Sequence, residues 1–305
     1  MAVAIQETKR LIKQAIASQQ NCRAQWSGKI RRKRVRGMLE RKLKHRFYNN
    51  NDTFDRLQSA YRGRPDYGYD PYRTWQRGTE RVDRLVRHLN IQSPGRQVLD
   101  VGAGEGMLGA VLAAYGHRVT LADYEDWRDE RTKHLPFVEA DVCCGLPLDQ
   151  ASFDVICSYN TFEHVTDPAA ALSHLKRLLK PNGVIYLEFG PLYASAWGLH
   201  AYRTVHCPYP QFLFSADFMA EKFKQVGIHV QGRQQTAMIP LNQWRLSQFD
   251  ELWRTCGLIM AHHEVGVSDR FLDVVLRFAP AFSGLGLTCA DLVTDHISVT
   301  LKRGS

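Results

Sequence analysis

The stretch of sequence that decides the fold is Gln97-Val-Leu-Asp-Val-Gly-Ala-Gly-Glu-Gly106. It begins with strand-forming residues and runs into three glycines at alternate positions. The apolar residues 107–115 that follow predict a helix, which ends at Gly116. A strand, a glycine turn and a helix N-terminus bring bare backbone N–H groups close to a ligand. The stretch therefore predicts a binding loop for a nucleotide-like molecule.

The spacing of the glycines narrows the class of ligand. The dinucleotide fingerprint G-x-G-x-x-G requires a third glycine at the position of Met107, so that motif fails. The spacing present is G-x-G-x-G, with an aspartate two residues before it. This segment resembles motif I of the class I S-adenosylmethionine (SAM) methyltransferases. The resemblance implies that the cofactor-binding residues here are Asp100, Gly102, Gly104 and Gly106.

Three further segments follow in the order that this family uses. Residues 119–123 predict a second strand ending in Asp123, whose carboxylate could accept hydrogen bonds from a ribose diol. Residues 137–141 predict a third strand ending in Asp141, which in the family faces the adenine amino group. Residues 153–168 resemble the fourth strand and loop of the ubiquinone and menaquinone methyltransferase branch, type 11. The cofactor contacts implied by these segments are Asp123, Tyr124, Asp141, Val142, Tyr159 and Asn160.

Alternating strand and helix patterns from residue 97 to residue 190 predict the fold class. The expected fold is α/β, a three-layer αβα sandwich around a Rossmann-like, seven-stranded, mostly parallel sheet. A sixth strand is expected at 258–262, and an antiparallel last strand at 297–301. The carboxyl ends of the parallel strands, where all four motifs end, are the expected ligand-binding edge.

The rest of the chain suggests two additions to this core. Residues 1–90 are expected to form a helical, basic N-terminal extension, followed by the methyltransferase domain at 91–305. Within the extension, helices are expected in 1–22, 29–47 and 79–90, with an irregular aromatic segment at 53–78. Residues 191–245, too long and too aromatic for an ordinary connection, are expected to form a lid over the substrate.

The net charge of +9 comes from one segment. Residues 29–46 contain ten lysines and arginines and a single acid, Glu40, so the rest of the chain is neutral. Apolar residues recur every four positions from Val35 to Phe47, which predicts one face of a helix. Three interpretations stay open: a solvated face, a peripheral contact with an anionic membrane, or nucleic-acid binding. The last is disfavoured, because Tyr159-Asn-Thr-Phe162 lacks the Asn/Asp-Pro-Pro-aromatic motif of base-amino methyltransferases.

Composition indicates a cytoplasmic, or membrane-peripheral, location. No apolar run approaches the ~20 residues of a membrane span, and the N-terminus lacks the residue order of a signal peptide. Seven cysteines without CxxC spacing favour reduced thiols over a disulfide framework.

Three histidines are candidates for the catalytic base. Methyl transfer from a sulfonium is an in-line displacement that depends mostly on alignment, although a hydroxyl nucleophile would benefit from a base near neutral pKa. His164 leads because it follows the fourth strand, and a purely structural role for it stays open. His200 and His206 in the lid are its rivals, and no metal site is expected, since no Cys or Asp framework surrounds them.

An aromatic and basic group upstream of the core offers further contacts. Tyr69, Trp75 and Arg77 could close over the amino-acid end of the cofactor, with Arg77 pairing with its carboxylate.

The sequence predicts a SAM-dependent methyltransferase acting on a small-molecule or saccharide acceptor, with O-methylation favoured. Two alternatives remain. One is an RNA methyltransferase that uses the basic helix, and the other is a non-catalytic SAM-fold subunit whose pocket beside His164 would be blocked.

Overall fold

The computed structural model describes residues 28–64, 68–89, 91, 93–230, 233–235 and 237–304. The helix expected in 1–22 lies outside these residues. The strands are β1 (Gln97–Val101), β2 (Arg118–Asp123), β3 (Phe137–Glu139), β4 (Phe153–Tyr159), β5 (Leu179–Phe189), β6 (Ile228–Val230), β7 (Arg233–Gln235), β8 (Ile259–Val267) and β9 (Thr294–Lys302). The helices are α1 (28–39), α2 (Asn51–Ala60), α3 (Pro71–Leu89), α4 (Met107–Ala114), α5 (Pro168–Leu178), α6 (Pro210–Leu213), α7 (Ala216–Val226), α8 (Leu246–Thr255), α9 (Leu272–Arg277) and α10 (Cys289–Val293).

Seven strands form the central sheet in the order β3-β2-β1-β4-β5-β9-β8. The first five pair in parallel, and β9 lies antiparallel between β5 and β8. The predicted α/β fold with an antiparallel last strand is confirmed. The strand order reverses between β1 and β4, which is the point where open α/β sheets bind their ligands.

Helices cover both faces of the sheet because alternate strand residues point to opposite sides. In β1, Val98 packs with α3 and α4 on one face. Its neighbour Leu99 packs with α5 and α8 on the other face. Both side chains are fully buried. The three-layer arrangement thus follows from an apolar strand buried on both faces.

The basic helix is shorter than its apolar spacing predicts. Helical structure ends at residue 39, so the expected helix to Phe47 is wrong in its last two turns. Backbone N–H groups beyond that point bond to distant segments: that of Leu43 to Ser283 Oγ at 3.1 Å, and that of Tyr48 to the Leu213 carbonyl at 2.7 Å. Leu43 and Phe47 are consequently exposed.

The segment expected to be irregular, residues 53–78, is largely helical. Asn50 caps α2 by accepting a hydrogen bond from the Thr53 N–H at 2.8 Å. The prediction missed two local signals, this asparagine N-cap and the Pro71 at the first turn of α3.

The lid shares a core with the N-terminal helices. Val35 of α1 and Phe54 of α2 pack in one cluster with residues of 194–219 and 271–293. The domain boundaries at 90 and 91, and the lid at 191–245, stay predictions. None of the described helices is long and apolar enough to cross a bilayer. The six cysteines within the described residues are unpaired.

Candidate active site

A cavity of about 620 Å³ opens at the carboxyl ends of the parallel strands and extends beneath the lid. Among its lining residues are eight of the predicted cofactor residues: Gly102, Gly104, Asp123, Tyr124, Asp141, Val142, Tyr159 and Asn160. Two of the three candidate histidines, His164 and His200, line the same cavity. Motifs from separate parts of the chain therefore meet in one space.

The glycine loop between β1 and α4 is fixed to the end of β2. The N–H of Gly102 donates to the Ala122 carbonyl at 2.8 Å, and the N–H of Gly104 donates to Asp123 Oδ2 at 2.9 Å. Gly102 has φ +69°, and a Cβ there would overlap Thr161 Oγ1. Both the backbone conformation and the close approach require glycine at this position.

Two predicted cofactor residues lie behind the cavity lining. Asp100 is buried, and its Oδ2 has no hydrogen-bond partner in the described ranges. Burial raises the pKa of Asp100 to about 7. Gly106, with φ +77°, turns the chain into α4 as its N-cap. Asp100 and Gly106 belong to the glycine loop and its flanks, but neither lines the cavity.

Two carboxylates stand at the ends of neighbouring strands. Asp123, after β2, accepts from the N–H groups of Gly104 and Tyr124, and burial raises its pKa to about 6 despite these bonds. Asp141, after β3, accepts from the Cys143 N–H through Oδ1 at 2.8 Å and is exposed. Each carboxylate oxygen has two lone pairs, so both residues retain acceptor capacity toward the cavity.

Glu163 is the buried acid of the turn that follows β4. It is 2% exposed, and its Oε1 accepts from the Gly190 N–H at 3.1 Å. Its Oε2 has no hydrogen-bond partner among the described residues, and burial raises the pKa of Glu163 to about 8. A buried polar atom without a partner is rare in folded proteins and calls for an explanation.

His164 and His200 face each other with ring centroids 4.9 Å apart in an edge-to-face arrangement. Nδ1 of His164 lies 2.8 Å from the Pro240 carbonyl oxygen, and Nε2 of His200 lies 2.7 Å from that of Pro191. A carbonyl oxygen only accepts, so these nitrogens carry the protons, and the opposite nitrogen of each ring keeps its lone pair. Burial lowers the pKa of His164, and burial together with His164 lowers that of His200 to about 3. Both rings are neutral at pH 7.

The lid is tied to the same turn by Asn242. Its backbone N–H donates to the Glu163 carbonyl at 3.0 Å, and its Nδ2 donates to the carbonyls of Phe162 and Val165 at 2.6 and 2.9 Å. The Glu163-His164 turn and the lid thus form one hydrogen-bonded unit.

His206, the third candidate base, does not line the cavity, and the fold does not bring it beside His164 and His200. Its N–H donates to Gln58 Oε1 at 2.7 Å, and Gln58 Nε2 donates to the Thr204 carbonyl at 2.8 Å. These two bonds hold this part of the lid on α2.

Arginines line the end of the cavity near α3. Arg77 pairs with Glu105 at 2.8 Å and lies over the Tyr69 ring at 5.0 Å. Arg77 was expected to pair with the carboxylate of the cofactor. Its guanidinium instead pairs with the carboxylate of Glu105, in the glycine loop.

Arg81, which the sequence reasoning missed, also lines the cavity and lies over the Tyr159 ring at 5.2 Å. The sequence feature that could have identified Arg81 is its spacing of four residues from Arg77, which places both on one face of α3. Trp75 is 44% exposed and does not line the cavity.

A family model described as a methyltransferase domain matches residues 72–231, just over half of the chain. The chain belongs to this methyltransferase domain family.

Among curated proteins, a demethylmenaquinone methyltransferase from Clavibacter sepedonicus is 27% identical over 228 residues, 71% of this chain and 90% of that protein. A ubiquinone biosynthesis O-methyltransferase from Albidiferax ferrireducens is 33% identical over 112 residues, 34% of this chain and 44% of that protein. Among solved structures, a 1,6-didemethyltoxoflavin-N1-methyltransferase from Burkholderia thailandensis with bound S-adenosylhomocysteine is 18% identical. That match covers 76% of this chain and 79% of the other, with a TM-score of 0.40.

Proposed function

We propose that this SAM-dependent methyltransferase methylates a hydroxyl group of a small aromatic acceptor held beneath the lid. The observation that carries the proposal is the continuity of the cavity. It runs from the glycine loop at Gly102 to the neutral histidines His164 and His200, so donor and acceptor have adjoining space.

The residues at the strand ends fit the cofactor. Gly102 and Gly104 line the cavity without side chains, which suits close backbone contact. The acceptor atoms of Asp123 and Asp141 suit the ribose hydroxyls and the adenine amino group. When bound, the sulfonium supplies an electrophilic methyl group. The chain itself positions the acceptor oxygen, excludes water beneath the lid and receives the proton.

A neutral imidazole beside the acceptor supports O-methylation. The nitrogen opposite each carbonyl-bound one, Nε2 of His164 and Nδ1 of His200, keeps a lone pair that can take a hydroxyl proton. His164 directly follows the β4 turn and is the proposed base. His200 lies against it, and burial keeps His164 neutral, because a charged imidazolium is disfavoured in this desolvated space.

The lining and the relatives together favour an aromatic acceptor over a saccharide. Leu146, Met238 and Ile239 give the cavity an apolar side, which suits a ring. The demethylmenaquinone and ubiquinone methyltransferases that resemble this chain are named for ring compounds. The non-catalytic alternative requires a blocked pocket beside His164, and the open cavity there favours catalysis.

We also propose that the segment 28–47 contacts an anionic membrane surface. Ile30, Leu43 and Phe47 are exposed among its lysines and arginines, and this mixture of apolar and basic side chains suits a bilayer interface better than a phosphate backbone. The segment does not line the cavity.

Methyl transfer itself is the direct test of the proposed activity. Labelled SAM is incubated with phenols, catechols, quinols, sugars and tRNA, and the product of the best acceptor is assigned by mass spectrometry and NMR. We expect an O-methylated aromatic product. Methylated sugar or RNA as the main product would reject the acceptor class, and the absence of SAM binding by calorimetry would reject the cofactor assignment.

Co-sedimentation with phosphatidylcholine vesicles with and without phosphatidylserine tests the membrane contact. Combined Lys33→Gln, Arg34→Gln and Lys42→Gln should weaken binding to the anionic vesicles roughly 100-fold, at about 1 kcal/mol per charge. SAM affinity should not change, because these exposed residues lie outside the cavity. Binding to tRNA that falls steeply with salt, without vesicle binding, would favour nucleic acid instead.

A further inference from the structure

We propose that Glu163, His164 and His200 form a binding site for a first-row divalent metal cation. One ligand atom from each residue lies within 4.8 Å of the other two, so small side-chain shifts would place all three around one ion. Two histidines and a carboxylate are a recurring metal-binding set that leaves coordination positions open.

The orientation of both histidines supports this assignment. Each imidazole donates its proton to a backbone carbonyl, His164 to Pro240 and His200 to Pro191, at 2.8 and 2.7 Å. Metal-binding histidines are held by such outer hydrogen bonds, which fix the tautomer and direct the other nitrogen at the ion. Pro191 and Pro240 lie near opposite ends of the segment 191–245, so the fold of this segment orients both rings.

The unpartnered oxygen of Glu163 is the second, independent observation. Oε1 accepts from the Gly190 N–H, while the buried Oε2 has no hydrogen-bond partner within the part of the chain that the structure describes. Glu163 also lines the cavity. A cation would satisfy this atom and would complete a set that otherwise leaves a buried acceptor unpaired.

The donor set selects the class of ion. Two imidazole nitrogens and one carboxylate suit Zn²⁺, Co²⁺, Mn²⁺ or Fe²⁺, whereas Mg²⁺ and Ca²⁺ prefer oxygen ligands. All three residues line the cavity, so the open coordination positions face the acceptor space. There a cation could hold an acceptor hydroxyl and increase its acidity. With the ion bound, this acidification would replace proton transfer to Nε2 of His164, because the ion would occupy the lone pair of that nitrogen. This last step rests on the proposed function, whereas ion binding does not.

The sequence did not predict this site, because its third ligand comes from the lid. Glu163 and His164 are adjacent, but only the folded lid brings His200 against them. The spacing of these residues matches no local metal-binding motif.

Cobalt titration of the full chain, after removal of bound metal with a chelator, tests the site. We expect one equivalent of Co²⁺ to bind, with visible absorption from nitrogen and oxygen coordination, and Zn²⁺ to displace it. Mg²⁺ should not compete at equal concentration.

Glu163→Gln keeps the acceptor for Gly190, and His200→Asn suits the φ of +60° at this position. Each variant should bind Co²⁺ about 100-fold more weakly, since even outer-shell losses cost 10–100-fold.

Two matched controls identify the site. His206→Ala removes a lid histidine outside the cavity and should leave the stoichiometry and affinity for Co²⁺ unchanged. Combined Cys143→Ser and Cys144→Ser should do the same, and it removes thiols that could bind cobalt on their own. Circular dichroism and thermal unfolding establish that the site variants are folded.

The proposal is overturned by no stoichiometric binding to the folded protein, by unchanged binding in both site variants, or by thiolate-to-cobalt charge-transfer absorption that the serine variant abolishes. SAM calorimetry on the same samples keeps the two proposals apart. Lost SAM binding with intact Co²⁺ binding contradicts the proposed function alone, and the reverse contradicts the cation site alone.

Discussion

The two ends of the cavity are built in different ways. At the proposed cofactor end, the lining residues follow consecutive strands within residues 101–142, and Asp123 accepts a hydrogen bond from the Gly104 N–H of the glycine loop. At the acceptor end, His164 and His200 are oriented by carbonyls of Pro240 and Pro191. One end is made by neighbouring strand ends, and the other by a long segment folded back over the sheet.

This difference separates two kinds of constraint. The backbone geometry of the loop requires glycine and a nearby acceptor at fixed spacing. A short stretch of sequence is therefore enough to identify the loop. The histidines need only a carbonyl partner, which any folded-back segment can provide. We therefore expect changes at the cofactor end to alter SAM affinity and changes at the acceptor end to alter turnover.

Replacing His164 should have the largest effect. His164→Ala should lower kcat by roughly 10²–10⁴-fold, the usual contribution of a general base, while SAM affinity stays near that of the wild type. Steady-state kinetics and calorimetry measure the two quantities. His206→Ala, outside the cavity, should keep the wild-type kcat. A tenfold or smaller loss in His164→Ala would mean that alignment alone suffices for transfer.

Adding a methyl group at the glycine loop should mainly affect the cofactor. In Gly102→Ala the new Cβ overlaps Thr161 Oγ1, and the loop must shift. Displacing a positioning group by about 1 Å can cost roughly 100-fold in rate, so we expect kcat/KM for SAM to fall by about that factor. Gly95→Ala is the control, because Gly95 also has positive φ, at +87°, but open space around its Cβ. Equal losses in both variants would point to general strain rather than to the loop.

Removing the carboxylate of Asp123 should have a smaller effect at the same end. Asp123→Ala loses a charged acceptor for the ribose and for the Gly104 N–H, a cost of roughly 1.5–3 kcal/mol in SAM binding. Asp126→Ala is the matched control, since its carboxylate pairs with Arg128 and Lys133 outside the cavity. A change below about twofold in calorimetry would make Asp123 a turn residue only.

The smallest expected effect is a pH dependence of stability from Asp100. Burial raises its folded pKa to about 7, above the usual unfolded value, so the unfolded chain loses this proton first as pH rises. Stability should therefore fall with pH from about 4 through 7, by roughly 2 kcal/mol between pH 5.5 and 8. Urea unfolding of wild type and Asp100→Asn measures this, and the variant should lack that part of the slope. Parallel profiles for the two proteins would show that Asp100 is solvated.

The sequence by itself determined the cofactor end and the order of its motifs. Val98, Leu99 and the glycines after them specify a buried strand and a turn through local periodicity and backbone conformation, which do not depend on distant partners. The alternation of strands and helices likewise specified the layered sheet, because a strand that is apolar on both faces needs helices on both sides.

Only the tertiary structure decided the features that depend on contacts between distant parts of the chain. The N–H of Leu43 bonds to Ser283 in the region beyond residue 39, where a continuous helix was expected. The N–H of His206 bonds to Gln58 of α2, and His206 lies outside the cavity. Folding of the lid instead brings His200 to His164. A polar group can find its partner anywhere along the chain, so short-range patterns do not reveal such pairings, and the fold alone selects among them.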